Sequence, residues 1–195
     1  MIMLMQDFLT RIWKISAKTW LYLFIAAAFI CILSLRHNNQ TMVKLRNDVY
    51  AADKNDGDVN TALNNLRNYI FGHMNTSLST GTNIKPPIQL KYTYQRLYDE
   101  KYNDLQAANQ KIYNAGKIAC PGAPNTYDPD RLACIENYAV RHGVSGANIN
   151  IPAGLYEFDF VSPAWSPDLA GWTLLLTAVF FAAFIIRFTF TRLKK

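Results

Sequence analysis

Two stretches without a single charge decide what this chain can fold into. Residues 19–35, TWLYLFIAAAFICILSL, run for 17 residues, and residues 169–186, LAGWTLLLTAVFFAAFII, run for 18. A bilayer core about 30 Å thick needs roughly 20 apolar residues of helix, with a lower limit near 17. Both runs meet that limit once a flanking residue is counted. As core helices of a soluble domain they would need cover on every side. A chain of 195 residues has too little else to cover two helices that are apolar all round. The sequence therefore predicts two membrane-spanning helices. A mean hydropathy of −0.04 is the average of unlike parts.

The charges orient these spans. Residues 36–168 carry 13 basic and 13 acidic residues, so the net +6 belongs entirely to the two ends. Arg11, Lys14 and Lys18 precede the first run, against Asp7; Arg187, Arg192, Lys194 and Lys195 follow the second. By the positive-inside rule both termini are expected in the cytoplasm, with residues 36–168 outside the cell (inner) membrane. The basic balance is thus a topology signal, and nucleic acid is not an expected partner. Trp13, Trp20, Trp165 and Trp172 all lie close to the span ends, where amphipathic rings anchor at the headgroups. The first run is longer than the usual 7–15-residue core of a signal peptide, and LSLRHNNQ offers no small-x-small cleavage site, so a retained anchor is expected. Residues 1–18 place Leu4, Met5, Phe8, Leu9, Ile12, Trp13 and Ile15 along one stripe, which fits a short interfacial helix or a longer first helix.

Between the runs the pattern is mostly helical. Met42, Leu45, Val49 and Ala52 extend the first helix to about Asp53, and DKNDGD breaks it. Asp58 caps a second helix whose apolar face is Val59, Leu63, Leu66, Ile70 and Met74. After NTSLSTGTNIKPP, a third helix is expected over roughly Ile88–Lys117, with Leu90, Tyr94, Leu97, Tyr98, Leu105, Ala108 and Ile112 as its stripe. Its tyrosines, 92, 94, 98, 102 and 113, are read as packing rings with wet hydroxyls rather than a ligand surface. Asp128, Pro129 and Gly143 bracket a fourth helix. Alternation in NINIPAGLYEFDF predicts two short strands around Pro152-Ala153-Gly154. In WSPDLAG, Ser166 is the expected cap of the second span, with Pro167 at its first position and Asp168 at the dipole's positive end. The expected fold class is a mainly α membrane protein: two transmembrane helices flanking an exported three- or four-helix bundle with a small β hairpin. The parts are a cytoplasmic N-terminus 1–18, spans 19–35 and 169–186, an exported domain 36–168 and a basic tail 187–195.

Cys120 and Cys134 admit three readings. An exported location is oxidising, and Pro121, Gly122 and Pro124 form a bend between them, which favours a disulfide. Free thiols are the second reading. Metal binding or catalysis is the third, weakened by the absence of CxxC spacing or a histidine nearer than His142. Cys31, inside the first span, reads as a packing residue.

Other chemistry is thin. DKNDGDVNTALN resembles a calcium loop only out of register, with Gly57 at the fifth place and Asn64 at the twelfth. His37, His73 and His142 lack metal-ligand neighbours. No GxSxG, HExxH, P-loop or GxGxxG motif occurs. Sequons at Asn39 and Asn75 have meaning only in a eukaryotic secretory pathway. No catalytic residue, metal or cofactor is therefore assigned, and an enzyme ranks behind the binding readings. The spans carry no internal charge of the kind ion pathways use.

The segments LRNDVYAADKNDGDVNTALNNLRNYIFGHMNT, IKPPIQLKYTYQRLYDEKY and YEFDFVSPAWSPDLAG resemble a group of uncharacterised bacterial proteins with two spans and an exported domain. The likeness covers most of residues 42–172 and implies a bacterial membrane location without an activity. In layout the chain also resembles the sensing part of bacterial chemoreceptors, but the nine residues after Ile186 offer no output domain. The expectation is an accessory or structural protein of the cell envelope. Its partners would be the lipid bilayer and another membrane or envelope protein or a second copy. The alternative is a ligand-sensing exported bundle.

Overall fold

The structure is a computed structural model describing residues 15–78, 85–122, 127–143 and 149–193. Arg11, Trp13, Lys14, Lys194, Lys195 and the interfacial stripe before Ile15 lie outside the described residues.

Helix α1, Ala17–Lys54, spans 38 residues. No glycine or proline interrupts it, so at 1.5 Å per residue it runs about 57 Å without a break. Ser16 caps its start, Oγ accepting from the Thr19 amide at 3.2 Å. The chain then turns through Asp56, whose φ of 54° is left-handed. Asp58 opens helix α2, Val59–Gly72, by accepting the Thr61 amide at 2.9 Å and the Thr61 hydroxyl at 2.7 Å. These local hydrogen bonds hold the Asp58 carboxyl below its ordinary range. Leu63, Leu66 and Ile70 of α2 are buried, as are Met42 and Val49 in the C-terminal half of α1. Each such side chain contributes about 1.5–3 kcal/mol when fully buried, which is why a 14-residue helix holds its place.

The last helix, α5, covers Leu169–Leu193 and packs along α1. Trp20 meets Phe180 at 5.9 Å and Phe24 meets Phe181 at 5.2 Å between ring centres. The buried seam of α1, Trp20, Ala27, Cys31, Ser34 and Asn38, keeps helical spacing. Most of the apolar stretch of each helix is uncovered: only 22% of the apolar window in α1 and 17% of that in α5 is buried. Core helices of a soluble domain are mostly buried, so the protein itself does not solvate these surfaces. Both helices are long and apolar enough to cross a membrane. In α5 the hydroxyls of Thr173, Thr177, Thr189 and Thr191 each donate back to the carbonyl four residues earlier. That satisfies them without water, as an apolar surround requires.

A second compact unit comprises residues 88–158. Strand β1, Ile88–Gln89, precedes helix α3, Lys91–Ala119. Helix α4, Pro129–Arg141, follows with Asp128 as its cap, its Oδ1 accepting the Asp130 and Arg131 amides. Gly116 lets the two helices approach: a Cβ there would stand 3.1 Å from the Tyr138 ring. Gly143, with φ of 87°, lies just past the end of α4, as the sequence predicts.

The β element differs from expectation in its partner. Strand β2, Glu157–Phe158, pairs antiparallel with β1 in the register Ile88–Phe158 and Gln89–Glu157. Residues 149–152 are not a strand. Pro152 instead opens a 3₁₀ turn over Ala153–Leu155, and the Leu155 and Tyr156 amides donate into it, using groups a hairpin ladder would need. The pairing also moves the start of α3 from Ile88 to Lys91. Pro86 and Pro87 disfavour helix just before them, and the Leu90 amide donates to Tyr156 O at 2.8 Å. The helices outside the α1–α5 pair thus divide, α2 on α1 in one unit and α3 with α4 in the other.

Candidate functional site

Polar side chains converge where α1, α2 and the start of α5 meet. Asn38, 5% exposed, lies on the same seam as Cys31 and Ser34. Its Nδ2 donates to Met74 O at 3.3 Å and to Asp168 Oδ2 at 2.7 Å. Ser166, 1% exposed, accepts the Met74 amide and donates its hydroxyl to Asp168 Oδ1, both at 2.9 Å. Asp168 Oδ1 also accepts the Gly171 amide at 2.9 Å, and Asp168 O accepts from the Trp172 amide. The cap of α5 is therefore Asp168, not Ser166. Ser166 is diverted to the backbone of Met74, and a carboxylate caps equally well. Burial pushes the Asp168 carboxyl up. Hydrogen bonds from Gly171, Asn38 and Ser166, with the field of His73, outweigh it and hold the group below its ordinary range. Asp168 is thus the fixed negative charge of this cluster.

The segment after α2 is strapped along α1 by the same logic. Asn75 Nδ2 donates to Leu35 O and Arg46 Nη1 to Leu78 O. His73 closes α2: its Nδ1 donates to Tyr69 O at 2.9 Å while the rings stack 4.0 Å apart. His142 repeats the device at the end of α4, donating to Tyr138 O at 2.8 Å with rings 3.9 Å apart. The spacing Tyr-x-x-x-His in YIFGH and YAVRH is the sequence signal for this cap.

Beside the cluster lies an open groove of about 650 Å³. Ile30, Leu33 and Leu169 form its apolar part, and His37, Tyr69, His73 and Asp168 its polar part. Among the described residues no three of His, Cys, Asp and Glu come together to hold a metal ion.

Cys120 and Cys134 stand at disulfide distance, with S–S 2.08 Å and Cα–Cα 6.0 Å, joining the end of α3 to the first turns of α4. Cys31 is a buried free thiol whose Sγ lies 4.0 Å from Ala170 O. The tryptophans divide. Trp20 is buried in the α1–α5 seam, so its ring packs on protein rather than projecting as an anchor. Trp165 and Trp172 are exposed and meet edge to face at 5.9 Å at the start of α5. Comparison with known protein families, curated proteins and solved structures finds no match. The functional reading therefore rests on this chain's own residues.

Among them, the basic residues that the sequence assigns to opposite ends come together. Lys18, Arg187 and Arg192 border one cavity of about 600 Å³. Arg187 Nε donates to Ile15 O at 3.2 Å, and the Arg192 guanidinium lies 5.3 Å above the Phe188 ring.

One further surface stands out on α3. Of its 29 residues only Gly116, near the C-terminal end, is buried. Tyr94, Tyr98 and Tyr102 form a ladder along it with ring centres 6.3 Å apart at each step, in line with Leu105 and Ile112. The Tyr156 ring meets Tyr94 edge to face at 4.8 Å, and from Tyr98 to Ile112 the stripe is left half-buried or exposed.

Proposed function

We propose that this chain is a membrane-anchored accessory protein of a bacterial cell envelope, acting through protein–protein contacts. In this reading 19–35 and 169–186 cross the membrane antiparallel, both termini are cytoplasmic, and residues 36–168 form the exported helical bundle. The observation that carries it is the uncovered stripe of α3. A helix gains most of its stability from packing an amphipathic face. This one leaves Tyr98, Tyr102, Leu105 and Ile112 half-buried or exposed along its middle. A partner helix laid along the stripe, from another envelope protein or a second copy, would bury it by the helix-in-groove mode.

The test is a photo-crosslinking residue placed singly at Tyr102, Leu105 or Ile112 in cells, with Glu100 and Gln110 as off-stripe controls. Expected are discrete adducts from the stripe and none from the controls. Leu105→Asp is expected to cut those adducts at least about tenfold, as losing a central apolar contact does at an interface. The protein's own unfolding midpoint would change little, because a surface substitution typically shifts stability by no more than about 0.5 kcal/mol. Equal crosslinking from every position, or none, would remove the partner reading. The groove beside His37, His73 and Asp168 favours the ligand-binding alternative in that event.

A further inference from the structure

The groove beside Asn38 and Asp168 has two kinds of wall. Ile30, Leu33 and Leu169 belong to the two charge-free runs, whereas His37, Tyr69, His73 and Asp168 are polar. The change happens within one turn of α1, between Leu33 and His37, about 6 Å of helix. A ligand that fits both walls is amphipathic, with its polar end at the level where α1 leaves its apolar run. The polar wall selects the charge of that end. Asp168 is half-buried, and its carboxylate is hydrogen-bonded by neutral donors, Asn38, Ser166 and Gly171. They hold its oxygens in place without cancelling the charge. A carbonyl oxygen can only accept, so the bond to Tyr69 O puts the ring proton of neutral His73 on Nδ1 and makes its Nε2 an acceptor. Tyr69 adds an aromatic ring, which attracts cations electrostatically. A carboxylate, an imidazole acceptor and an aromatic ring suit an ammonium group, whereas an anionic head would meet the charge of Asp168 with its own.

We propose that this groove binds one phospholipid with a primary-ammonium head, its ammonium on Asp168 and His73 and the start of an acyl chain against Ile30, Leu33 and Leu169. The inference rests on the membrane reading above and adds a specific ligand to it. Charge complementarity selects the occupant, and hydrogen bonding refines it: a primary ammonium brings three N–H donors to these acceptors, and a trimethylammonium brings none. A soluble amine would use Asp168 but gain nothing from the apolar wall. The volume of about 650 Å³ lies within the roughly 300–1,000 Å³ of small-ligand sites. Asp168 also joins Asn38 of α1 to the first turn of α5, so the bound head would sit on the contact that ties the two helices together.

The experiment uses the full chain in nanodiscs of phosphatidylglycerol with phosphatidylethanolamine and phosphatidylcholine as equal minor components, released for native mass spectrometry. The pH is about 8, where an ordinary histidine is neutral. Wild-type protein is expected to retain one phosphatidylethanolamine, enriched about tenfold over its share of the bilayer, the ratio that one charge-assisted hydrogen bond supplies. Phosphatidylcholine should stay at its bulk share. Asp168→Asn should remove the enrichment, and asparagine caps a helix as well as aspartate does. Asp99→Asn, which deletes a carboxylate of α3, should leave it unchanged. Should Asp168→Asn fail to fold, the comparison of the two zwitterionic lipids on wild-type protein decides alone. Equal retention of both, or enrichment that survives in folded Asp168→Asn protein, would overturn the proposal. Soluble phosphoethanolamine at millimolar concentration should not displace the lipid; displacement would make a free amine the ligand and overturn it as well. A chain that enters the bilayer yet retains lipids only at their bulk share fails this inference alone. A chain that does not enter the nanodisc fails the membrane reading with it.

Discussion

Gly171→Ala is expected to destabilise the protein, although alanine is the better helix former by about 1 kcal/mol. Gly171 sits in the first turn of α5, where the chain folds back over its own cap. A Cβ built there falls 1.8 Å from the carbonyl oxygen of Ser166 and 2.8 Å from Trp165 Nε1. The first of these is backbone, held in place because Ser166 is tied to both Met74 and Asp168. The loop must therefore move, and moving it loosens the buried cluster that joins α1, α2 and α5. Overpacking of this kind costs about 1–3 kcal/mol, at the upper end when the obstacle is main chain. After the propensity gain is subtracted, a net loss of about 2 kcal/mol remains, a fall in Tm on the order of 5 °C for a chain of this size. Gly72→Ala is the matched control, because a Cβ there meets nothing within 4 Å. Thermal unfolding in detergent should show the control unchanged or slightly stabilised. Equal behaviour of the two variants would mean that the Ser166 carbonyl does not approach α5 as described.

Removing the Cys120–Cys134 link should have a comparable or larger effect, confined to the second unit. The two cysteines are 14 positions apart, and a loop of this length is worth about 3 kcal/mol in the chain-entropy model. The two helices also meet where Gly116 packs against Ile135 and Tyr138 and where Arg131 Nη2 donates to Lys117 O. The double variant Cys120→Ser/Cys134→Ser should therefore expose the α3–α4 connection to limited proteolysis at least about tenfold faster, since 1.4 kcal/mol of lost stability already gives that factor. Cleavage in the α1–α2 unit should be unaffected. Intact mass of the native protein should show the pair oxidised. Free labelling of both thiols in intact cells, together with unchanged proteolysis, would contradict this account of the hairpin.

What the sequence made legible is what short-range chemistry determines. The two apolar runs, the extension of α1 to Lys54 and the caps at Asp58 and Asp128 are all written within a few residues of where they act. What it concealed depends on partners far along the chain. Phe158 takes Ile88 as its neighbour from beyond α3 and α4, while the local alternation pointed to Ile149 and Ile151. Ser166 has the chemistry of a cap, yet Met74 claims its hydroxyl, and that competition is invisible in WSPDLAG alone. Asn38 follows the first apolar run, and its place on the buried seam with Cys31 and Ser34 emerges only with the helix in hand. Lys18, Arg187 and Arg192 stand in the sequence as a charge excess, but their meeting around one cavity requires α1 and α5 to lie side by side.

A role in the cell envelope requires residues 36–168 and the two termini to lie on opposite sides of a bilayer. The most direct test is labelling with a membrane-impermeant maleimide in intact bacterial cells, using Cys31→Ala protein with one added cysteine at Asn60 or at Leu193, both exposed positions. The account predicts that Asn60→Cys is labelled at once and that Leu193→Cys is labelled only after the membrane is permeabilised. The reverse pattern would overturn the charge-based orientation, and equal labelling of both in intact cells would contradict a chain that crosses the membrane twice.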